Sequence, residues 1–235
     1  MDFIELLVQF NLTRQEAAIY LTLLSEGELN GYEVAKKTGI SRSNTYTSLA
    51  ALVEKGGAYV IDSTIIKYTP VPFEEFSNNK IRKLEKTKQD LMNSIPNKRE
   101  EKEGYITIKG EHHIIDKMKN MILEAKERIY ISASKDVIEE LFTEIEIVLK
   151  RGIKLVLITD YSFSIDGAKV YLIEEPRQQI RLITDSVNVL TGDIDDGEHS
   201  SCLFSKKKNL VDLLKDSLKN EIKLIEIVRE RKDLR

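Results

Sequence analysis

The amino-acid sequence predicts a mixed chain of α+β and α/β type, and two observations predict it. Apolar residues recur at helical spacing through the first third of the chain, where only two β-rich runs interrupt them. From Gly104 onward, β-branched runs alternate with helical patterns. We therefore expect a first domain over residues 1–72, a linker helix over 73–103 and an α/β domain over 104–235.

The composition of the chain limits the classes of protein to which it can belong. With 235 residues, of which 41% are hydrophobic and 32% charged, the chain can form a globular protein with two small cores. We find no apolar run of bilayer length and no signal peptide at the start, so we expect a cytoplasmic protein without membrane contact. A single cysteine, Cys202, excludes an internal disulfide and leaves too few thiols for a zinc or iron-sulfur cluster. We expect no cofactor and no metal site.

The most informative stretch covers residues 30–52, which read as two short capped helices joined by a glycine turn. Asn30 can cap the first helix with Glu33 three residues on, and Ser41 can cap the second. Gly39 lies where the first helix must end. This is a helix-turn-helix pattern, and it predicts binding to double-stranded DNA.

The second helix of that pair divides into two faces. Its apolar side carries Thr45, Leu49, Leu52 and Val53, and its polar side carries short hydrogen-bonding groups in the first two turns. We predict base contacts from Ser43, Asn44 and Thr47, with phosphate contacts from Arg42 and two lysines of the preceding helix. The full predicted DNA-binding set is Lys36, Lys37, Ser41, Arg42, Ser43, Asn44, Tyr46, Thr47 and Lys67. The alternative is a helical pair whose polar face is only solvated.

The flanks of the pair complete a winged helix. Upstream, Thr13 and Glu16 form a capping-box pattern that opens a third helix. Downstream, residues 59–61 and 65–68 predict a hairpin around a turn at 62–64, with Lys67 as the one cation of this wing. Residues 1–72 hold six Lys and Arg against eight Asp and Glu, so we expect DNA binding to depend on a local patch and on two copies of the domain.

A polar, glycine-free segment follows the wing. Within it Ile81, Leu84, Lys88, Leu91 and Ile95 alternate by three and four, which is a coiled-coil seam of about two heptads. Pro96 and a charged run over 98–103 end it. We predict a homodimer through this seam, because pairing would place two recognition helices on one duplex. A solvated linker helix is the competing interpretation.

The last part of the chain predicts an α/β domain with a mixed sheet. We expect strands at 105–108, 128–132, 153–158, 169–173, 180–183 and 187–190, with helices around 114–125 and 137–148 and a closing helix over 207–227. Such sheets bind ligands in a crevice at the carboxyl ends of their strands. Candidate effector-binding residues at strand ends are Ser132, Asp160, Gln179 and Arg181.

The order of these parts resembles the TrmB-like transcriptional regulators. The resemblance covers nearly the whole chain, and its most specific pieces are the segments at 12–24 and 39–46, with fainter matches at 125–131 and 150–155. It implies a DNA-binding regulator whose C-terminal part resembles one unit of the phospholipase D fold. It also implies a small-molecule effector bound by that part, which is a sugar in several members.

The phospholipase D resemblance raises the question of catalysis. That family uses a His-x-Lys motif followed by an Asp, in which the His attacks phosphorus. The matching place holds Gln179, Arg181 and Asp185, so the nucleophile is missing, although Arg181 could still bind an anion. We expect no catalytic residue and no enzymatic activity.

Other polar groups lack the spacing of a site. His112, His113 and His199 do not fit the catalytic motif, and residues 193–198 read as an acidic hairpin turn, because Gly197 occupies the third ligand position of a calcium loop. The alternative function is an active phosphodiesterase-like domain, or a purely protein-interaction domain whose winged helix serves assembly.

Overall fold

The computed structural model describes residues 2–95, 104–173, 179–195 and 200–233, with side chains described to residue 230. The chain forms two compact units, Met1–Arg99 and Glu100–Arg235. Pro96, the charged run at 98–103, His199 and half of the predicted acidic turn lie outside the described residues. Within the described parts, no helix combines the length and the apolar character needed to cross a bilayer.

The first unit is a winged helix followed by one long helix. Its elements are α1 (Phe3–Gln9), α2 (Arg14–Glu26), β1 (Leu29–Asn30), α3 (Gly31–Thr38), α4 (Arg42–Glu54), β2 (Ala58–Ile61), β3 (Lys67–Pro70) and α5 (Phe73–Ser94). The three strands form an antiparallel sheet in the order β1-β3-β2. The predicted helix-turn-helix and its hairpin are confirmed.

Capping fixes the starts of the helices. The Thr13 hydroxyl accepts a hydrogen bond from the Glu16 amide at 3.2 Å, and the Glu16 carboxylate accepts one from the Thr13 amide at 2.8 Å. Asn30 and Glu33 repeat this reciprocal pair at 3.0 and 2.9 Å. Both predicted capping boxes are therefore present, and each satisfies two amides that have no partner within the helix.

The core of the first unit joins α2 to the wing and to α5. The Tyr20 ring is fully buried, its hydroxyl donates to the Val71 carbonyl at 2.8 Å, and its ring lies 5.5 Å from that of Phe76. Burial raises the pKa of Tyr20 to about 12. Beside it the buried Glu16 carboxylate pairs with the Lys55 ammonium at 2.6 Å. Leu7, Ala17, Ile19, Leu23, Val34, Leu49 and Leu52 complete this core.

The wing differs from its predicted bounds. Its second strand begins at Lys67, because Ile61 pairs with Lys67 and leaves residues 62–66 as the connecting loop. The Ser63 hydroxyl donates to the Ile65 carbonyl at 2.7 Å within that loop. The expectation that the strand starts at Ile65 is therefore wrong, and the side chains of Ile65 and Ile66 are exposed.

Helix α5 packs on the winged helix mainly through its first turn, and its residues Ile81 and Leu84 line an open groove with residues 9–11. Phe76 is its one buried residue among those described, and the Phe73 ring meets the Phe10 ring edge-on at 5.8 Å. Beyond that point every apolar residue of the predicted seam is exposed within one chain. These residues are Ile81, Leu84, Leu91 and Ile95.

The second unit is a seven-stranded sheet covered by helices. Its elements are β4 (Tyr105–Lys109), α6 (Glu111–Glu124), β5 (Arg128–Ser132), α7 (Lys135–Glu140), α8 (Phe142–Lys150), β6 (Lys154–Thr159), β7 (Ala168–Leu172), β8 (Gln179–Thr184), β9 (Asn188–Asp193), β10 (Ser201–Ser205) and α9 (Lys208–Asp233). The strand order is β4-β10-β9-β8-β5-β6-β7. Strands β5, β6 and β7 are parallel and the remaining pairs antiparallel, which confirms the predicted mixed sheet.

The sheet packs on both faces. Ile180 and Leu182 of β8 belong to the larger core with α6 and α8, whereas Ile183 belongs to a smaller core that includes Val211 and Leu218 of α9. Because side chains alternate along a strand, Arg181 points to the same face as Ile183, beneath α9.

One prediction for this unit is wrong, and one strand was missed. The predicted helix over 137–148 is two helices, since the Leu141 amide donates to the Ile138 carbonyl in a tighter turn that ends α7. Strand β10 was not predicted, because its apolar run, Cys202 to Phe204, is only three residues long and lies between two serines.

Asp185 ties the end of β8 to the start of β5. It lies at positive φ, and its carboxylate accepts hydrogen bonds from the amides of Lys126, Glu127 and Arg128 at 2.9, 2.8 and 3.0 Å. Burial by itself would raise the pKa of Asp185, but these three amides and the charge of Lys126 together lower it. The carboxylate is therefore a structural anion.

We predict that Asp185→Asn lowers the stability of the second unit by about 1 kcal/mol at neutral pH, because a neutral amide accepts these bonds more weakly. A lowered pKa stabilises the fold above the unfolded value of about 3.9, and that contribution disappears as the pH falls through the folded pKa. The variant and the wild type should thus converge in strongly acidic buffer. Urea unfolding measures the loss of stability, and hydrogen exchange at the amides of residues 126–128 reports on the three hydrogen bonds.

The matched control is Asp166→Asn, since Asp166 is exposed and makes no hydrogen bond among the described residues. Equal losses from the two variants would show that the three amide bonds contribute nothing.

Candidate nucleic-acid interface

Helix α4 presents a polar surface in its first two turns. Ser43, Asn44 and Thr47 are all exposed, as predicted. The Thr47 hydroxyl donates to the Ser43 carbonyl at 3.1 Å, whereas the side chains of Ser43 and Asn44 make no hydrogen bond within the described parts of the chain. These two side chains are available to a ligand, and an Asn amide can pair with both adenine groups in the major groove.

The opposite face of α4 is held by polar contacts as well as apolar ones. The Thr45 hydroxyl is buried and donates to the Ser41 carbonyl at 3.0 Å. Ser48, which was not predicted to be buried, donates to the Gln15 side chain of α2 at 3.4 Å. At the helix start, the Ser41 hydroxyl accepts from the Asn44 amide at 3.4 Å. These contacts fix the rotation of α4, so its free polar groups face outward.

Tyr46 sets the position of α4 against α3. Its ring lies over Gly31, where an added Cβ would overlap the ring carbons. Only glycine fits at the first position of α3 while Tyr46 keeps this place. Tyr46 remains half exposed, so it can also border a bound duplex.

An open groove separates α3 from the start of α4. Tyr32, Lys36, Ser41 and Arg42 line it, and the Arg42 guanidinium lies 4.7 Å from the centre of the Tyr32 ring. Tyr32 was not in the predicted set, because its cation–π contact joins two helices and has no local sequence signal. The ring holds the guanidinium at the edge of the groove.

The predicted phosphate contacts fall into two groups. Lys36 and Arg42 have no ion-pair partner within the described residues, so their charges face solvent. Lys37 pairs with Glu26 at 2.9 Å, and Lys67 pairs with Glu28 at 2.8 Å. The hydrogen bond and the charge of Glu28 raise the pKa of Lys67. The charge of the wing cation is therefore already balanced in the free protein.

In the second unit, two of the four predicted effector residues come together. The Arg181 guanidinium donates to the Ser132 hydroxyl at 3.0 Å and pairs with the Glu221 carboxylate of α9 at 2.6 Å. Arg181 is only 5% exposed, and its Nε has no hydrogen-bond partner among the described residues. Glu221 could not be found from the sequence, because the contact joins elements 40 residues apart.

The other two predicted effector residues lie elsewhere in the structure. Asp160 accepts a hydrogen bond from the Lys135 amide at 2.8 Å, which fixes the start of α7. Gln179 is exposed at the first position of β8. Asp185 lies past the opposite end of that strand, with its carboxylate on three amides, so it cannot orient a group at position 179.

Comparison with known proteins matches both units to one family. The model of the sugar-specific transcriptional regulator TrmB matches residues 6–74, and that of the TrmB EBD N-terminal subdomain matches residues 104–211. The chain belongs to the TrmB family of transcriptional regulators. In this family context, the winged helix of the first unit is a DNA-binding domain.

Individual relatives are similar over different lengths. An uncharacterised Bacillus subtilis protein, YrhO, is 28% identical over 99% of this chain and 89% of its own. The HTH-type sugar sensing transcriptional regulator TrmBL1 of Pyrococcus furiosus is also 28% identical, over 68% of this chain and 48% of its own. A solved structure of TrmBL2, described as an archaeal chromatin protein with a novel mode of DNA binding, covers 94% of this chain and 97% of its own at 20% identity and a TM-score of 0.47.

Proposed function

We propose that this TrmB-family protein reads a specific DNA sequence with α4 as a homodimer. One observation supports this most strongly: the unbonded side chains of Ser43 and Asn44 project from a helix whose rotation is fixed by Tyr46, Thr45 and Ser48. A fixed donor and acceptor pair is what base discrimination in the major groove requires. Lys36 and Arg42 supply the phosphate contacts that set the register of the domain.

Two substitutions separate base reading from phosphate binding. We expect Asn44→Ala to lose about 1–3 kcal/mol on the preferred duplex and much less on others, because one base contact disappears. Lys36→Ala should weaken binding to all duplexes by a similar factor. Binding to a selected duplex and to its single-base variants, measured by fluorescence anisotropy, distinguishes the two outcomes.

Asn79→Ala is the control, because this exposed residue of α5 lies outside the predicted interface. Equal losses from Asn44→Ala on every duplex would remove Asn44 from base recognition.

The dimer is proposed to form along α5. Ile81, Leu84 and Leu91 are exposed in one chain, and a two-stranded coiled coil would bury them. With Ile81 and Leu84 at the a and d positions, Lys80 occupies g and Glu85 the next e. In a parallel pair these positions face each other across the interface. Neither residue has an ion-pair partner among the described residues, so the charges favour parallel pairing.

A charge exchange tests this register. We expect Lys80→Glu and Glu85→Lys each to weaken the dimer, because each places like charges across the interface, and the double exchange to restore it. Sedimentation equilibrium of the full chain measures the dissociation constants. Lys83→Glu is the matched control, since position 83 points away from the seam.

Restoration in the double variant supports parallel pairing along α5. Single variants that dimerise like the wild type would place the interface elsewhere, for example in the second unit.

We propose further that the second unit is a sensor without enzymatic activity. The position that the phospholipase D resemblance assigns to the nucleophile holds Gln179, whose amide cannot form a phosphoenzyme. The charge of Arg181 is balanced by Glu221, so the cluster favours an uncharged polar ligand over an anion. The similarity to TrmBL1, a sugar sensing regulator, supports a sugar as the ligand class.

Ligand screening tests the sensor. We expect neutral sugars such as glucose to raise the Tm of the full chain, and glucose 6-phosphate to have no larger effect, because the phosphate finds no free cation at Arg181. Ser132→Ala should remove the shift, while Ser94→Ala, an exposed change on α5, should keep it. A larger shift with the phosphate sugar would contradict the neutral-ligand proposal.

Turnover of bis(4-nitrophenyl) phosphate that Arg181→Ala abolishes would contradict the absence of catalysis.

A further inference from the structure

Two carboxylates in one short turn hold two of the cations predicted to contact DNA. The turn runs from Glu26, the last residue of α2, through Gly27 to Glu28, just before β1. Lys37, in the last turn of α3, pairs with Glu26, and Lys67, at the first position of β3, pairs with Glu28. Cations from two different elements thus meet carboxylates that are two residues apart.

The backbone fixes this convergence. Gly27 lies at a φ of 83°, and its amide donates to the Leu23 carbonyl at 2.8 Å, which ends α2 and turns the chain toward β1. Strand β1 then pairs with β3, with Asn30 opposite Lys67. The turn therefore has one defined place between the helix-turn-helix and the wing.

We infer that Glu26 and Glu28 act as a carboxylate clamp, a name we use for this pair, which lowers affinity for the DNA backbone. This inference rests on the proposed function and concerns what limits the sequence-independent part of the affinity for DNA. A phosphate must compete with a carboxylate for each lysine, and the displaced carboxylate stays close to the duplex. Each lysine with its glutamate thus adds little net positive charge, and binding depends more on the base contacts of α4.

The exposure of the pairs sets the size of the effect. All four side chains are about 41–44% exposed, so solvent screens each pair and a phosphate can displace the carboxylate. The clamp should therefore change the affinity for DNA by several-fold per pair.

The salt dependence of binding is the most direct test. For the full chain on a random-sequence duplex, we expect Glu26→Gln and Glu28→Gln each to steepen the slope of log Kobs against log[NaCl] by up to about 0.9, the value for one more neutralised phosphate. Each should also tighten binding about threefold near 0.1 M salt, where screening is incomplete. Glu5→Gln is the matched control, because Glu5 pairs with Arg14 between α1 and α2 and carries the same charge change.

A double-mutant cycle assigns the effect to the pairs themselves. Glu26→Gln should gain nothing when Lys37 is already alanine, and Glu28→Gln should gain nothing when Lys67 is alanine. Unchanged slopes in both glutamine variants, or an equal change in Glu5→Gln, would overturn the inference while leaving DNA recognition intact. A wild type that binds no duplex would contradict the proposed function as well.

Discussion

The interface depends on a requirement of the backbone: the first amides of a helix have no partners within it. Thr13 with Glu16 and Asn30 with Glu33 meet that requirement twice, by reciprocal side-chain to backbone bonds. Gly39 ends α3 in the left-handed conformation and the Ser41 hydroxyl caps α4, so the turn between α3 and α4 has a defined length. The polar face of α4 then points away from the core, where its side chains can contact a bound duplex.

Much of the winged helix could be predicted from the sequence, because the residues that begin and end its helices act locally. A cap, a left-handed glycine and an apolar spacing each act within a few residues, so Asn30, Gly39 and Ser41 were assigned correctly. Long-range contacts left no such signal. Glu221 on Arg181 and Glu28 on Lys67 are pairs made by the fold, and nothing near either residue in the chain indicates its partner.

The two units use arginine and lysine in opposite ways. In the first unit, Lys36 and Arg42 remain free of carboxylates within the described chain, so their charges are open to a polyanion. In the second, Arg181 is buried, and burial of a charge is tolerated because Glu221 and Ser132 surround it. The sequence shows the cations, but only the fold separates the charges that are open to DNA from the one that is buried and already paired.

The bare apolar row of α5 has a consequence for gene control. In the proposed dimer these side chains are buried only when two chains pair, so the concentration of the dimer rises with the square of the concentration of free chain. At low protein concentration, most molecules would be monomers with a single winged helix. Occupancy of a two-fold site would then respond more steeply than linearly to synthesis of the protein, before any ligand is bound.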